Sequence, residues 1–370
     1  MADQSTADLS TSPLHQRHVD LGAKMVEFGG WSMPLEYTGS VKEHHAVRRG
    51  VGVFDVSHLG KAVIRGAGAA AYVNACLTND LARLAPGQAQ YTLCCNPAGG
   101  VVDDLIAYLR SADEVFLIPN AANASSVVRL LAESAPDGVQ VDDLSHEYAV
   151  LAVQGRASDE TLGAMGYPVG HDYMSFVEVE HAGAPVVVCR TGYTGERGYE
   201  LVVPDGAATT VWDSLLTAGA AQGIVPAGLG ARDTLRTEMG YPLHGQDLSP
   251  TITPVQARLG WAVGWKKSSF WGSDALRAEK EAGPSRLLRG IVSAGRGIPR
   301  PHMAVSDAAG VRIGEVTSGT FSPTRRAGVG LALLDASASD GDQVSVDVRG
   351  RREPFTVTKP PFVTPGVRAS

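Results

Sequence analysis

The hydrophobic pattern of the first 280 residues combines two periods. Residues 91–95 and 101–109 are apolar runs that flank a turn rich in proline and glycine, which indicates a β-hairpin. Residues 207–222 follow the helical period, and residues 229–239 form a second predicted helix that ends at Gly240. Strands and helices that follow one another in this way predict an α+β fold.

The pattern beyond residue 284 is almost entirely that of strands. Short apolar runs, separated by Gly, Pro, Asp and Ser, occupy residues 287–293, 311–318, 328–334 and 343–348. Residues 344–348 and 354–357 also bracket a Gly-Arg-Arg turn, as expected for a hairpin. These features predict a small barrel or sandwich of roughly eighty residues, a size that can fold alone.

Residues 190–200, RTGYTGERGYE, carry three glycines between two apolar runs at residues 185–189 and 199–203. This arrangement predicts a hairpin with a loose turn, which would bring Tyr193 and Glu200 together at the open edge of a sheet. A carboxylate beside a flat ring suits a nitrogen-rich heterocycle, because it accepts two parallel N–H bonds while the ring stacks. The alternative is a hairpin with ordinary surface residues.

Two adjacent aspartates, Asp103 and Asp104, lie in an otherwise apolar predicted strand just after a glycine turn. Side chains alternate along a strand, so one carboxylate should be solvated while the other faces a cavity. The alternative is a charged edge strand that discourages aggregation. The pattern does not determine which aspartate faces inward.

Arg232 opens the predicted helix after two glycines, where it could bind an anion as a bidentate fork. The alternative is a surface pair with Asp233. His44, His45 and His58 occur without any metal-binding pattern, so we interpret them as surface or core histidines and expect no metal.

The composition, 44% hydrophobic and 19% charged, is that of a soluble globular protein, and 370 residues suggest two or three domains. The net charge of −7 disfavours nonspecific binding to nucleic acid. No apolar run is long enough to span a bilayer and the N-terminus has no targeting pattern, so we expect a cytoplasmic protein.

The first ten or so residues are polar, and we expect them to be disordered. The four cysteines form no CxxC motif and are expected to be reduced core thiols.

A series of segments, taken in order, resembles the T-protein family of the glycine cleavage system, the aminomethyltransferases. The segments are LGAKMVEFGGWSMPLEY (residues 21–37), GVFDVSHLG (52–60), TND (78–80), GGVVDDL (99–105), NAAN (120–123), RTGYTGERGYE (190–200), PAGLGARDTLRTE (226–238), GQDL (245–248), GEVTSGTFSPT (314–324) and KPPFV (359–363). The resemblance extends over roughly residues 13–363, nearly the whole chain.

The resemblance implies a three-domain, cloverleaf-like arrangement around a central folate cavity. A folate-binding region, residues 13–278, would contain two α+β domains, of which the second, about residues 55–145, is inserted in the first. Residues 285–365 would form the C-terminal β-barrel.

The implied reaction transfers the methylene of an aminomethyl group to tetrahydrofolate, the co-substrate, with no metal. That group is carried on the dihydrolipoyl arm of H-protein, and the products are 5,10-methylenetetrahydrofolate, ammonia and dihydrolipoyl H-protein. H-protein is the direct partner that the resemblance implies, and the glycine decarboxylase and dihydrolipoyl dehydrogenase components are indirect partners.

The resemblance also assigns roles to residues. Asp104 matches the catalytic aspartate, which would hydrogen-bond the folate near its reacting nitrogens, and Glu200 matches the residue that binds the pterin edge. The other matches to folate-lining positions are Tyr193, Tyr91, Asn120, Arg232, Tyr241 and Leu59.

Three positions depart from the pattern of the family. Leu59 replaces an expected methionine, and His244 replaces an expected tyrosine, which could alter a hydrogen bond at the cavity rim. Met174 falls where an aromatic residue should line the folate, with Tyr173 next to it.

Three other classes of protein are alternatives to this family. A non-catalytic, folate-binding iron–sulfur assembly factor of the same superfamily should carry a KGCYxGQ segment, whereas residues 239–247 read MGYPLHGQD. A flavin-dependent dehydrogenase should carry an N-terminal flavin domain, for which we expect no room. A folate-free scaffold would have no use for both Asp104 and Glu200.

Overall fold

The computed structural model describes residues 9–368. Its helices are α1 (His15–Asp20), α2 (Ser40–Arg49), α3 (Ala69–Cys76), α4 (Ala124–Ser134), α5 (Ser158–Ala164), α6 (Asp205–Ala218), α7 (Leu229–Met239) and α8 (Ser273–Ala282). Its strands are β1 (Ser10–Thr11), β2 (Lys24–Phe28), β3 (Trp31–Glu36), β4 (Gly52–Asp55), β5 (Ala62–Arg65), β6 (Gln88–Cys95), β7 (Val101–Ser111), β8 (Glu114–Ile118), β9 (Gln140–Asp143), β10 (Tyr148–Gln154), β11 (Phe176–His181), β12 (Ala184–Cys189), β13 (Gly198–Pro204), β14 (Val225–Pro226), β15 (Arg286–Ser293), β16 (Ala304–Ser306), β17 (Arg312–Ser322), β18 (Ala327–Asp335), β19 (Gln343–Val348) and β20 (Arg351–Thr358).

A six-stranded sheet forms the first part of the molecule, in the order β11-β12-β13-β10-β4-β14. Strands β12 and β13 are the predicted hairpin and pair with Val187 opposite Val202. Because β13 also pairs with β10, it lies inside the sheet, and the expectation that this hairpin has an open edge at Glu200 is wrong. One of its two apolar faces packs against Trp212 of α6, which is completely buried.

A five-stranded antiparallel sheet, in the order β6-β7-β8-β5-β9, is formed by residues between β4 and β10. The chain therefore leaves the six-stranded sheet and returns to it. The second predicted hairpin is β6 and β7, which pair with Leu93 opposite Asp104. Helices α3 and α4 cover one face through buried apolar residues such as Val73 and Leu131, since a half-apolar helix is stabilised mainly by such packing.

The C-terminal part is a closed barrel, in the order β15-β18-β17-β16-β19-β20, which confirms the α+β fold with an all-β barrel at the end. Side chains such as Ile291, Val316 and Phe355 fill it because inward positions alternate with outward ones. The sequence did not reveal β16, whose three residues are too few to show an alternation.

Three further expectations concern the N-terminus, the cysteines and membrane-spanning segments. Residues 1–8 lie outside the described part, so their expected disorder is not tested, but Ser10 and Thr11 pair with Trp31 and Ser32 in a parallel ladder. All four cysteines are buried free thiols, as predicted. Among residues 9–368, no helix is long and apolar enough to cross a membrane.

Candidate functional site

A cavity of about 730 Å³ lies between the two α+β sheets and the barrel, and it is large enough for a medium-sized organic ligand. Its wall includes β6 and β7, the turn between β12 and β13, the end of α7 and the barrel strands β15 and β18. All the site residues predicted from the sequence line it, namely Asp104, Glu200, Tyr193, Tyr91, Asn120, Arg232, Tyr241 and Leu59.

The two aspartates of β7 have different surroundings. Asp103 is completely buried and accepts hydrogen bonds from the backbone and side-chain N–H groups of Asn120 and from the Asn123 side chain, at 2.7–3.0 Å. Asp104 faces the cavity, where the Tyr91 hydroxyl and the Asn120 amide each donate to it at 2.9 Å. The expectation that one aspartate is solvated is therefore wrong, because the face of β7 opposite the cavity is covered as well.

The position of the pair affects its protonation. Burial raises the pKa of Asp104, although hydrogen bonds from Tyr91 and Asn120 act in the opposite direction. Burial, followed by the charge of Asp104, raises the pKa of Asp103. Adjacent carboxylates in a low-dielectric site repel each other when both are ionised. A positive charge placed beside Asp104 offsets this repulsion and would therefore be stabilised strongly.

Two of the three glycines of the RTGYTGERGYE segment, Gly192 and Gly198, are explained by one buried side chain. Gln154 of β10 inserts between the two arms and donates to the carbonyl oxygens of Thr191 and Tyr199, each at 3.2 Å. A Cβ at Gly192 or Gly198 would overlap the Gln154 amide. The hairpin therefore opens at this point because the amide fills the gap between its arms.

Replacing Gly198 with alanine should destabilise the protein by about 1–3 kcal/mol, as overpacking does, and should weaken ligand binding because Glu200 lies on the same strand. Urea denaturation measures the first effect. Gly163→Ala in α5 is the matched control, since its new Cβ meets nothing within 4 Å. Equal stability of Gly198→Ala and the unmodified protein would contradict the role of Gln154.

Glu200 presents a carboxylate to the cavity from inside the six-stranded sheet. The Thr191 hydroxyl donates to its Oε2 at 2.6 Å, and no group among residues 9–368 donates to Oε1. Nearby, the Tyr193 ring is stacked with that of Tyr241 at 5.8 Å between centroids. The Tyr193 hydroxyl donates to the Pro242 carbonyl, so the aromatic residue is held in place without using the ligand.

Arg232 does not form the alternative surface pair with Asp233, which instead pairs with Arg236 at 2.7 Å. The Arg232 guanidinium lies 4.7 Å from the centre of the Tyr193 ring, a cation–π contact. Its Nη1 is buried and has no hydrogen-bond partner in the described part of the chain. Burial lowers the pKa of Arg232, while the charge of Glu200 acts the other way.

The three departures from the family pattern have distinct outcomes. Leu59 lines the cavity, as expected. His244 lies behind the aspartates instead of at the rim: it accepts from the Asn123 amide at 2.9 Å and donates to the Val101 carbonyl at 3.0 Å. Met174 and Tyr173 both line the cavity, so the neighbouring residue supplies an aromatic ring there.

Sequence reasoning missed several other lining residues, among them Trp261 and His58. Trp261 is 67% exposed and stacks on Tyr91 with 5.4 Å between the ring centroids, at the open side of the cavity. His58 was interpreted as a surface or core histidine, but it lines the cavity and is only 3% exposed. Neither shows a periodic signal, because His58 lies in the turn after β4 and Trp261 in a three-residue 3-10 helix; the position of His58 next to Leu59 was the one available indication. Among residues 9–368, no group of three or more His, Cys, Asp or Glu side chains could hold a metal ion.

Comparison with known proteins agrees with the geometry of the site. Residues 14–267 match the GCVT N-terminal domain, and residues 286–364 match the glycine cleavage T-protein C-terminal barrel domain. The chain is 65% identical over 359 residues to the aminomethyltransferase of Frankia alni, over 96% of this chain and 98% of the relative. It is 58% identical over 359 residues to that of Mycobacterium avium, with the same coverage of 96% and 98%. The crystal structure of glycine cleavage system aminomethyltransferase T from Bartonella henselae superposes with a TM-score of 0.91 at 34% identity, covering 97% of this chain and 99% of that one.

The two α+β sheets, the barrel and the shared cavity therefore define a member of the glycine cleavage T-protein family, to which this chain belongs. Its function is that of a catalytic aminomethyltransferase of the glycine cleavage system. The alternative, a non-catalytic iron–sulfur assembly factor, is not supported, since the similarity to aminomethyltransferases extends over nearly the whole chain.

Proposed function

We propose that the cavity binds tetrahydrofolate and admits the aminomethyl-bearing dihydrolipoyl arm of H-protein. The methylene carbon passes to the folate nitrogens as its bonds to sulfur and to the amine break, which gives 5,10-methylenetetrahydrofolate, ammonia and dihydrolipoyl H-protein. One observation carries the proposal: two carboxylates with different partners, Asp104 and Glu200, face one cavity of about 730 Å³.

Glu200 would bind the N–H edge of the pterin. Its Oε1 has no donor among residues 9–368, and Oε2 retains acceptor capacity beyond the bond from Thr191. Tyr193 and Tyr241 would form the flat apolar wall, and the unpaired Nη1 of Arg232 would donate to a folate oxygen. The residues present therefore fit a heterocycle with donors along one edge and an acceptor beside them.

Asp104 would orient the reacting nitrogens and stabilise the positive charge that develops on the methylene as ammonia leaves. Tyr91 and Asn120 fix both of its carboxylate oxygens before the substrates arrive, so little reorganisation is needed during the reaction. Holding two bound reactants in one orientation contributes the remainder of the rate enhancement.

The wider arrangement follows from the same proposal. We place the folate-binding region at residues 13–278 with an inserted domain at about 55–145, and the barrel at 285–365; the return of the chain to the first sheet at β10 supports this. The site would act in the cytoplasm with lipoylated H-protein, and indirectly with the glycine decarboxylase and dihydrolipoyl dehydrogenase components.

Replacing Glu200 with glutamine should weaken tetrahydrofolate binding by about 10- to 100-fold, because one acceptor becomes a donor that faces pterin N–H groups. Titration calorimetry measures the affinity. Glu180→Gln, on the exposed side of β11 in the same sheet, is the control and should bind normally. Unchanged affinity in Glu200→Gln would show that Glu200 does not bind the pterin.

The proposed function is tested by ammonia release from aminomethyl-loaded, lipoylated H-protein, with and without tetrahydrofolate. We expect rapid release only when both substrates are present. Release that is equally fast without tetrahydrofolate, or no release from a protein that still binds folate, would contradict the proposal.

A further inference from the structure

His58 is a buried histidine whose position the proposed reaction does not use. It follows β4 in the turn that leads to Leu59, is 3% exposed and lines the cavity. Its ring meets the Phe28 ring edge-to-face, with 5.3 Å between the centroids and 85° between the planes. Phe28 lines the cavity as well, so this contact fixes the imidazole in the cavity wall.

The imidazole nitrogens of His58 are unsatisfied within the protein. Nδ1 is buried with no hydrogen-bond partner, and Nε2 has no partner among residues 9–368 either. Buried polar side chains almost always have a partner, and each exception requires an explanation. Nδ1 is enclosed by protein, whereas Nε2 is not, so Nε2 is the nitrogen that a molecule bound in the cavity can reach.

The surroundings of His58 keep it uncharged. Burial, followed by the positive charge of Arg232, lowers the pKa of His58 to about 3, while Asp55 opposes and Lys61 adds to the shift. A neutral imidazole carries one N–H donor and one acceptor nitrogen. It can therefore bind an uncharged polar edge without the cost of burying a second cation beside Arg232.

The other unsatisfied group on this wall is the buried Nη1 of Arg232, whose charge interacts with both His58 and Glu200. Glu200 needs donors from a ligand, whereas Arg232 can only donate and His58 can donate. A pterin has this arrangement, because its N–H edge adjoins a carbonyl oxygen and ring nitrogens that accept.

We propose that His58 is a further folate-binding residue, which donates a hydrogen bond from its imidazole to an acceptor atom of the pterin ring. This inference rests on the proposed function, in which the same cavity holds tetrahydrofolate. His58 positions the ring and takes no proton during the transfer. Its loss should therefore weaken folate binding more than it lowers turnover at saturation.

The first test compares His58→Phe with the unmodified enzyme, since phenylalanine keeps the ring contact with Phe28 and removes both nitrogens. We expect the Kd and KM for tetrahydrofolate to rise about 10-fold, with kcat changed less than about 3-fold. His15→Phe is the matched control: its Nδ1 is also buried and unpaired, but it does not line the cavity, so affinity should stay the same.

A second pair of variants keeps the test decisive if His58→Phe does not fold. His58→Asn and His58→Leu have nearly the same shape and differ in the amide, so weaker binding by the leucine variant than by the asparagine variant isolates the hydrogen bond. The ratio of Kd values should also be constant between about pH 6 and pH 8, because the imidazole does not titrate there.

The outcomes separate this inference from the proposed function. If the unmodified protein binds tetrahydrofolate and the His58→Phe and His58→Leu variants bind it equally well, His58 is a packing residue and the inference is overturned. If the unmodified protein binds no tetrahydrofolate, the proposed function fails first. A Kd ratio that changes with pH across this range would contradict a neutral donor.

Discussion

Asp104→Asn should lower turnover by about 100- to 1,000-fold, the range seen when one preorganised electrostatic group is removed from an active site. Asparagine keeps the shape and can still bond to Tyr91 and Asn120, because the hydroxyl of Tyr91 can turn to accept. Tetrahydrofolate affinity should change much less, since the charge matters most when positive charge develops. Single-turnover kinetics and titration calorimetry on the same preparation measure the two effects.

The control for Asp104→Asn is Asp113→Asn, in the exposed turn between β7 and β8 of the same sheet, which should behave as the unmodified enzyme. Equal losses of turnover and folate affinity in Asp104→Asn would contradict an electrostatic role. They would show that the carboxylate only helps to bind the folate.

The same residue predicts the pH dependence. In the proposed mechanism the ionised carboxylate of Asp104 is the active form, and burial raises its pKa above the ordinary value of 3.8. Turnover should therefore fall as the pH drops through this raised pKa, at a higher pH than for an exposed aspartate. A profile of kcat against pH checks this, and the acid limb should be missing in Asp104→Asn.

Arg48→Met should reduce the free energy of unfolding by about 3–5 kcal/mol, because removing one partner of a buried ion pair leaves a charge uncompensated. The guanidinium is 8% exposed and binds Glu238 at 2.8 Å, Glu196 at 2.9 Å and the Thr194 carbonyl at 2.7 Å. Glu238 also accepts from Ser322 of the barrel at 2.5 Å. The cluster therefore joins α2, α7, the glycine-rich turn and the barrel, and urea denaturation should show the loss.

Glu238 stays ionised in this cluster: burial opposes its charge, but the hydrogen bond and charge of His44, with help from Ser322 and Arg48, lower its pKa to about 2. Removing Arg48 therefore leaves the buried negative charge of Glu238 without its guanidinium partner. Arg49→Met is the matched control, since this neighbouring side chain is exposed and should cost less than about 0.5 kcal/mol. Similar stabilities of the two variants would contradict the account.

Local patterns in the sequence predicted the local structure well. The apolar runs around residues 190–200 form paired strands, and most of the short runs beyond residue 284 form barrel strands. Period and turn chemistry are properties of neighbouring residues, so they can be read directly. The central position of β13 in its sheet could not be predicted in this way, because it depends on pairing with β10, about fifty residues earlier in the chain.

The candidate site also depends on contacts between residues that are distant in the sequence, which local patterns do not predict. Alternation along β7 placed Asp103 and Asp104 on opposite faces, but only the packing of Asn120 and Asn123 decides that Asp103 is buried. The glycines of the hairpin were visible in the sequence, yet Gly192 and Gly198 are required by the side chain of Gln154 on another strand. The one indication for His58 was its position next to Leu59, because it lines a cavity that segments distant in the sequence enclose.

The most direct test of the central claim is one turnover of aminomethyl-loaded, lipoylated H-protein with an equal amount of tetrahydrofolate, quantifying both products. The account predicts equal amounts of 5,10-methylenetetrahydrofolate and ammonia from the unmodified enzyme, and a large loss of both in Asp104→Asn with folate still bound. Ammonia without methylenetetrahydrofolate, or unchanged yields and rates in Asp104→Asn, would contradict the claim that Asp104 directs the transfer in this cavity.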